Sequence, residues 1–355
     1  MKTKDTGAII FFSLTLIFLS QCAKNDPEPP VFSCNVGWDS LTVAAVNVDT
    51  LLSCAVLPCA WQCEQSSPTT IQYLYSFPCF NPKNLDDIAF VRYDRKGVFG
   101  ENVELCIMNM CTGELRIIHN KVLGNLDWSI KDWIIFTGRN QMLYKIKPNG
   151  DSLTQLTFTG SLNNEPIWSP NGDKFVWYHK VGSKSYTVVS NENGLNWDTL
   201  PLIQVNASRF EWIINNKIAF TYNQYNLETL PSTRLGIIDL DSSTIQYDVF
   251  NLDGLAPYPG NYILNMDWIA SEQSMLFSTK FGVAKTNIHT KQRTVITKGF
   301  DETRRYEWAR LSPDSKFVIM HRRDGKSIVC NTDFMERLYV VNLDGTNERW
   351  VKLQE

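Results

Sequence analysis

The 355-residue chain is 43% hydrophobic and 12% aromatic, ample for a large core, and its formal net charge is −3. That balance creates no global field for nucleic acid or an anionic membrane surface, so nucleic acid is set aside as a partner. The length allows one large all-β domain or two average ones, and the repeats described below decide for one.

The N-terminus reads as a targeting signal. Lys2 and Lys4 form a basic start, and residues 7–19 are an apolar run too short to span a bilayer as a helix. The run ends in Leu19-Ser20-Gln21-Cys22, which resembles a bacterial lipobox, although Gln21 departs from the usual small residue before the cysteine. The resemblance implies a signal peptide over 1–21 and diacylation of the Cys22 sulfur, so that the protein meets the membrane through an N-terminal lipid anchor. Residues 22–30 are polar and proline-rich, with Pro27, Pro29 and Pro30, and read as a semi-rigid tether.

Residues 31–70 form a Cys-rich segment with little repeat character. Beyond Cys22 the chain has Cys34, Cys54, Cys59, Cys63, Cys79, Cys106, Cys111 and Cys330. An even number in an oxidising compartment points to disulfides, whose pairing the sequence leaves open. The rival is a metal site at Cys54, Cys59 and Cys63, but the spacing lacks the C-x2-C pair of zinc motifs and no histidine is near. The run Val43-Ala44-Ala45-Val46-Asn47-Val48 predicts a strand that pairs with a terminal blade and helps close a ring, the alternative being that the segment forms a small disulfide-knotted cap.

From residue 71 onward a single pattern recurs. Trp128, Trp168, Trp212, Trp268 and Trp308 each precede a turn and an apolar strand core, and Phe80 stands in the tryptophan position of a degenerate first copy. The cores are Ile88-Ala89-Phe90, Ile134-Ile135-Phe136, Phe175-Val176-Trp177, Ile218-Ala219-Phe220, Met275-Leu276-Phe277 and Phe317-Val318-Ile319. Third strands and turn signals such as Asn149-Gly150, Asn193-Gly194 and Asp344-Gly345 follow in each copy. A strand-bearing period of this size predicts an all-β fold: a six-bladed β-propeller of four-stranded antiparallel blades over residues 71–355. The recurring tryptophan is best explained as packing between stacked blades, with a stacking platform for sugars or bases as the functional rival.

The stretches Asn164-Glu165-Pro166-Ile167-Trp168-Ser169-Pro170-Asn171-Gly172-Asp173-Lys174 and Leu311-Ser312-Pro313-Asp314-Ser315-Lys316-Phe317 resemble the W-S-P-D-G-K repeat of TolB-like β-propellers, and Gln155-Leu156-Thr157 is similar to the Q-L-T that closes such repeats. The resemblance is strong in blades three and six. It implies the propeller and a binding habit, since TolB docks an outer-membrane lipoprotein on a propeller face. The 40 residues between tether and propeller leave no room for TolB's N-terminal α/β domain, so TolB's role in an envelope-spanning complex is not implied.

Catalytic signatures are absent: the chain has no G-x-S-x-G, H-E-x-x-H, Walker or C-x-x-C-H motif. Of four histidines, His179 and His321 are read as sharing one repeat position, with Arg92 and Tyr222 equivalent to them on the face of the long connections. Asp127, Glu211, Asp267 and Glu307 precede a tryptophan. Two readings stay open: a ring that holds a cation such as Ca²⁺, or carboxylates that accept backbone N–H bonds from the adjacent blade. Arg304 and Arg305 are expected to meet His321, Arg322 and Arg323 across an antiparallel pair, forming a basic patch on the long-loop face. Asp39-Ser40-Leu41, Asp49-Thr50-Leu51, Asp151-Ser152-Leu153 and Asp198-Thr199-Leu200 resemble the O-glycosylation sequon of Bacteroidota envelope proteins.

The reading that combines these features is a lipid-anchored, non-enzymatic propeller that needs no cofactor and binds a protein partner. Its expected place is the bacterial envelope, as an outer-membrane lipoprotein facing the periplasm or the surface. The alternative is a polysaccharide-binding protein or a propeller-type lyase acting on carbohydrate.

Overall fold

The computed structural model describes residues 42–43, 73–94, 103–160, 162–202, 207–224, 232–252, 263–279, 282–297, 304–324 and 335–351. The expected signal peptide and tether, with Cys22, Cys34, Cys54, Cys59, Cys63 and Cys330, lie outside these residues. So do most of the segment 31–70 and much of the four long connections.

Six sheets, each of four antiparallel strands in chain order, make six blades. Blade one comprises Tyr73–Asn81, Asn84–Asp94, Val103–Asn109 and Leu115–Asn120. Blade two comprises Val122–Trp128, Ile134–Gly138, Leu143–Ile146 and Thr154–Gln155. Blade three comprises Leu162–Trp168, Lys174–Val181, Lys184–Asn191 and Trp197–Thr199. Blade four comprises Ser208–Ile214, Lys217–Gln224, Ser232–Asp239 and Thr244–Asn251. Blade five comprises Ile263–Ile269, Ser274–Thr279, Gly282–Asn287 and Arg293–Val295. Blade six comprises Arg304–Leu311, Phe317–Asp324, Met335–Asn342 and Arg349–Val351. The predicted architecture is the observed one.

The S-P turn shows how a few polar atoms end one strand and start the next. The Ser169 backbone N–H donates to the Lys174 carbonyl (2.8 Å), and the Lys174 N–H donates to the Ser169 hydroxyl oxygen (3.0 Å). Gly172 closes the turn at φ +68°, where a Cβ would also collide with the Ser129 hydroxyl of the preceding blade. In blade six the Phe317 N–H donates to Ser312 Oγ at 2.9 Å, so the same hydroxyl does the same work. The Q-L-T segment has a comparable logic. Leu156 is buried, and the Thr157 hydroxyl oxygen accepts the Leu143 N–H at 2.8 Å. Thr297 repeats this bond with Val283 in blade five at 2.9 Å, a repeat its surrounding sequence does not advertise.

Each blade is apolar on both faces, and six buried clusters fill the six interfaces between neighbours. Between blades two and three, Trp168, Phe175, Trp177 and Val188 meet Ile135, Leu143 and Leu156. Trp168 and Phe175 pack edge to face with centroids 5.4 Å apart. Trp212 adds a directional bond, its indole N–H donating to the Ile167 carbonyl of blade three at 3.1 Å. The ring closes through apolar packing of the same kind. Blade one contributes Tyr75, Phe90, Cys106 and Met108, and blade six contributes Ile319, Leu338 and Val340. Thr42–Val43 pairs antiparallel with Trp350 and Val351 as a fifth strand on the outer edge of blade six. Of the strand expected over residues 43–48, Val43 alone lies among the described residues, on this outer edge, and each blade draws its own four strands from one stretch of chain.

The register corrects the repeat boundaries in blade six. Trp168 pairs with Phe175, and the equivalent pair is Leu311 with Val318. Leu311, then, fills the tryptophan position, and Trp308 lies three residues earlier, at the bulge in the first strand. By the same register Arg322, four residues after Val318, matches His179, four after Phe175, and His321 falls one position short. In blade six the S-P turn, rather than the tryptophan, marks the repeat.

Two predicted disulfide candidates are also corrected. Cys79 and Cys106 are free, buried thiols. Cys79 belongs to the core shared with blade two and Cys106 to the core shared with blade six, so the sheet of blade one separates them. Burial pushes both thiols up, Cys106 to about 12. Cys111, by contrast, is not a free thiol.

Candidate functional site: the axial cavity

The residue before the tryptophan position lies nearest the ring axis in each blade. Aligned by strand register, these residues are Cys79, Asp127, Ile167, Glu211, Asp267 and Arg310. Arg310 sits among the carboxylates, 3.4 Å from Glu211 Oε2 and 3.9 Å from Asp127 Oδ1. The reading of carboxylates that accept backbone N–H bonds from the adjacent blade is met at two positions. Asp127 accepts the Trp168 N–H of the next blade at 2.7 Å, and Asp267 accepts the Leu311 N–H of its next blade at 2.7 Å. The positive charge beside these carboxylates is the Arg310 guanidinium of blade six. Glu307 is no member of the ring; it lies 3.8 Å from His321 Nδ1.

The electrostatics follow from burial and imbalance. Three carboxylates face one guanidinium in a low-dielectric setting. Burial raises the pKa of Asp127, Glu211 and Asp267, and Arg310 only partly opposes it. Glu211 moves furthest, well above the usual carboxylate range, with Asp267 adding to the effect of burial. Burial would lower the Arg310 pKa, yet the three carboxylates override it and raise it.

One pleat further along the axis, the bulges in the first strands of blades one, two, three, four and six turn a second set of side chains inward. Phe77, Asn125, Glu165, Arg209 and Trp308 all adopt φ between 44° and 56°, a left-handed conformation that costs non-glycine residues about 1–2 kcal/mol each. They plug the axis. Phe77 and Trp308 pack with tilted rings, centroids 4.5 Å apart, the Arg209 guanidinium lies 5.5 Å from the Trp308 ring, and Arg209 pairs with Glu165. Only about 30 Å³ of free space remains at this level. Toward the turns between first and second strands the axis opens into a cavity of about 230 Å³. Its walls include Asp127, Glu211, Asp267 and Arg310, and its rim includes Ile130, Pro170 and Pro313. The axis is thus a blind cavity, open on the short-turn face and plugged toward the long-connection face.

The residues expected at the opposite mouth serve the fold. Arg92 is buried, ion-paired with Glu104 at 2.7 Å and placed 4.3 Å over the Tyr73 ring. His179 Nδ1 bonds Asn163 Oδ1 at 2.7 Å, and burial lowers its pKa. The Tyr222 hydroxyl donates to Asp248 Oδ1 at 2.8 Å and is pushed up to about 12 by burial and that carboxylate. His321 is buried beside Glu307, and Arg322 is held by Glu348 at 2.6 Å over the Tyr339 ring at 4.1 Å. The backbone does bring the basic stretches together, pairing Arg304 with Asp324 and Arg305 with Arg323. The side chains of Arg304, Arg305 and Arg323 lie outside the described residues. Trp308 masks Arg310 in the sequence by mimicking the tryptophan position of the other blades, whereas the Ser312-Pro313 turn sets Arg310 among the ring residues.

Fold and axis together define a six-bladed β-propeller with a charged, blind axial cavity. Among solved structures it resembles TolB from Acinetobacter baumannii, with 13% identity, a TM-score of 0.56, and coverage of 75% of this chain and 63% of that one. A TolB candidate from Agrobacterium tumefaciens matches at 16% identity and TM-score 0.53, covering 69% of this chain and 86% of that one. An oligogalacturonate lyase solved in complex with manganese matches at 11% identity and TM-score 0.50, over 75% and 76%. At these identities the likeness establishes the fold. No protein-family model and no curated protein matches the chain in sequence.

Proposed function

We propose that this chain is a lipid-anchored, non-enzymatic propeller that binds a protein partner in the bacterial envelope. The observation that carries the reading is the fate of its chemically competent side chains. His179, His321, Tyr222 and Arg92 are buried against polar partners within their own blades, whereas an accessible concavity among the described residues is the axial pocket of the ring. The lipobox-like Cys22 supplies the attachment, and the TolB-like fold fits a binding habit. A polysaccharide-binding or lyase role has the weaker support, since the two histidines it would draw on are engaged within the fold.

The test is capture from bacterial membranes with the tagged full-length chain, alongside assays for binding and cleavage of acidic polysaccharide. The expected result is one saturable protein partner. In the same experiment Cys22→Ala should abolish labelling by a fatty-acid probe. Cleavage of the polysaccharide, or unchanged labelling of the mutant, would refute the corresponding half of the proposal.

A further inference from the structure

Resting on that binding role, we infer that the partner presents a basic side chain, lysine or arginine, which enters the axial cavity from the short-turn face. Three features of different kinds support this. The cavity, at about 230 Å³ and open at Ile130, Pro170 and Pro313, admits an extended side chain but not a folded segment. Its walls carry three carboxylates against a single guanidinium, and the remaining axial residues, Cys79 and Ile167, bring no positive charge. The surface around the opening has the same sign. The first-to-second and third-to-fourth strand turns (81–84, 110–114, 129–133, 147–151, 169–173, 191–194, 214–217, 239–243, 270–273, 287–292, 312–316 and 342–347) hold ten acidic residues against six lysines. That is −4 on one face of a chain whose total is −3. Four of those lysines, Lys83, Lys131, Lys217 and Lys316, are already paired with carboxylates of the same face. A cation approaching this face is steered toward the axis, where it meets carboxylates short of positive charge.

Entry of a cation also has a proton consequence. Burial holds the ring carboxylates toward their protonated forms, so a basic side chain must displace a proton, and its affinity rises with pH.

The probe is a capped five-residue peptide with one central arginine among glycines, set against the same peptide with glutamate. Intrinsic tryptophan fluorescence reports binding, because Trp128, Trp168 and Trp212 border the cavity. The full-length protein should bind the arginine peptide saturably at millimolar concentration or below, more tightly at pH 8 than at pH 5, and leave the glutamate peptide unbound. Glu211→Gln should weaken binding about tenfold, and so should Ile130→Arg, which places a competing cation at the rim without altering the ring. Equal binding of the two peptides, no saturable binding of the arginine peptide, or undiminished binding by Ile130→Arg would overturn the inference. Full capture of the envelope partner by Ile130→Arg would refute the cavity while leaving the protein-binding role intact. No capture by the wild-type chain would defeat both.

Discussion

Arg310→Leu should lower the stability of the propeller by about 3–5 kcal/mol, the range for breaking a buried charge pair by removal of one partner. The reason is that Asp127, Glu211 and Asp267 would remain at the axis with no internal counter-charge, each already raised in pKa by burial. For a domain of this size the loss corresponds to a drop in melting temperature on the order of 10 °C. The mechanism makes a second demand. Because the lost stability comes from carboxylates forced to ionise, the defect should shrink as pH falls and the ring takes up protons. Thermal unfolding of wild type and Arg310→Leu at pH 7 and pH 4.5 measures both. A defect of the same size at both values would point to lost packing instead of lost charge compensation.

Trp168→Ala should cost about 3–5 kcal/mol, because it removes a large aromatic from the packed interface of blades two and three. Trp197, in the outer strand of the same blade, is 48% exposed, and its truncation should cost under about 1 kcal/mol. Urea denaturation of the two variants makes the comparison, and equal losses would contradict the assignment of Trp168 to the inter-blade core.

The contrast between those tryptophans shows what could be read from the sequence. Stacked blades must be apolar on both faces, so the architecture imposes a bulky residue and an apolar strand core on every copy, and the six-bladed count follows from the repeats. The same logic misled in blade six. There the packing position is filled by Leu311, which satisfies the interface without being conspicuous, while Trp308 sits in a bulge and faces the axis. A shift of that kind moves every later position of the repeat, which is why His321 was equated with His179 and Arg310 was passed over. The axial ring was visible only as four acidic residues before tryptophans. That three of them converge on one arginine depends on register between blades far apart in sequence, which no local pattern encodes. Burial of Arg92, His179 and Tyr222 was hidden for a related reason. Polar side chains at strand ends look exposed until the Glu104, Asn163 and Asp248 groups that receive them are brought alongside.

The central claim is that a protein partner sits on the short-turn face, over the axial opening. The most direct measurement is photo-crosslinking in intact cells from a reactive residue placed at Pro170, on the cavity rim, compared with one at Val181, the last residue of the second strand of blade three, beside the short turn on the opposite face. The account predicts a discrete protein adduct from position 170, lost in the Ile130→Arg background, and none from position 181. An adduct formed from position 181 and absent from position 170 would contradict it.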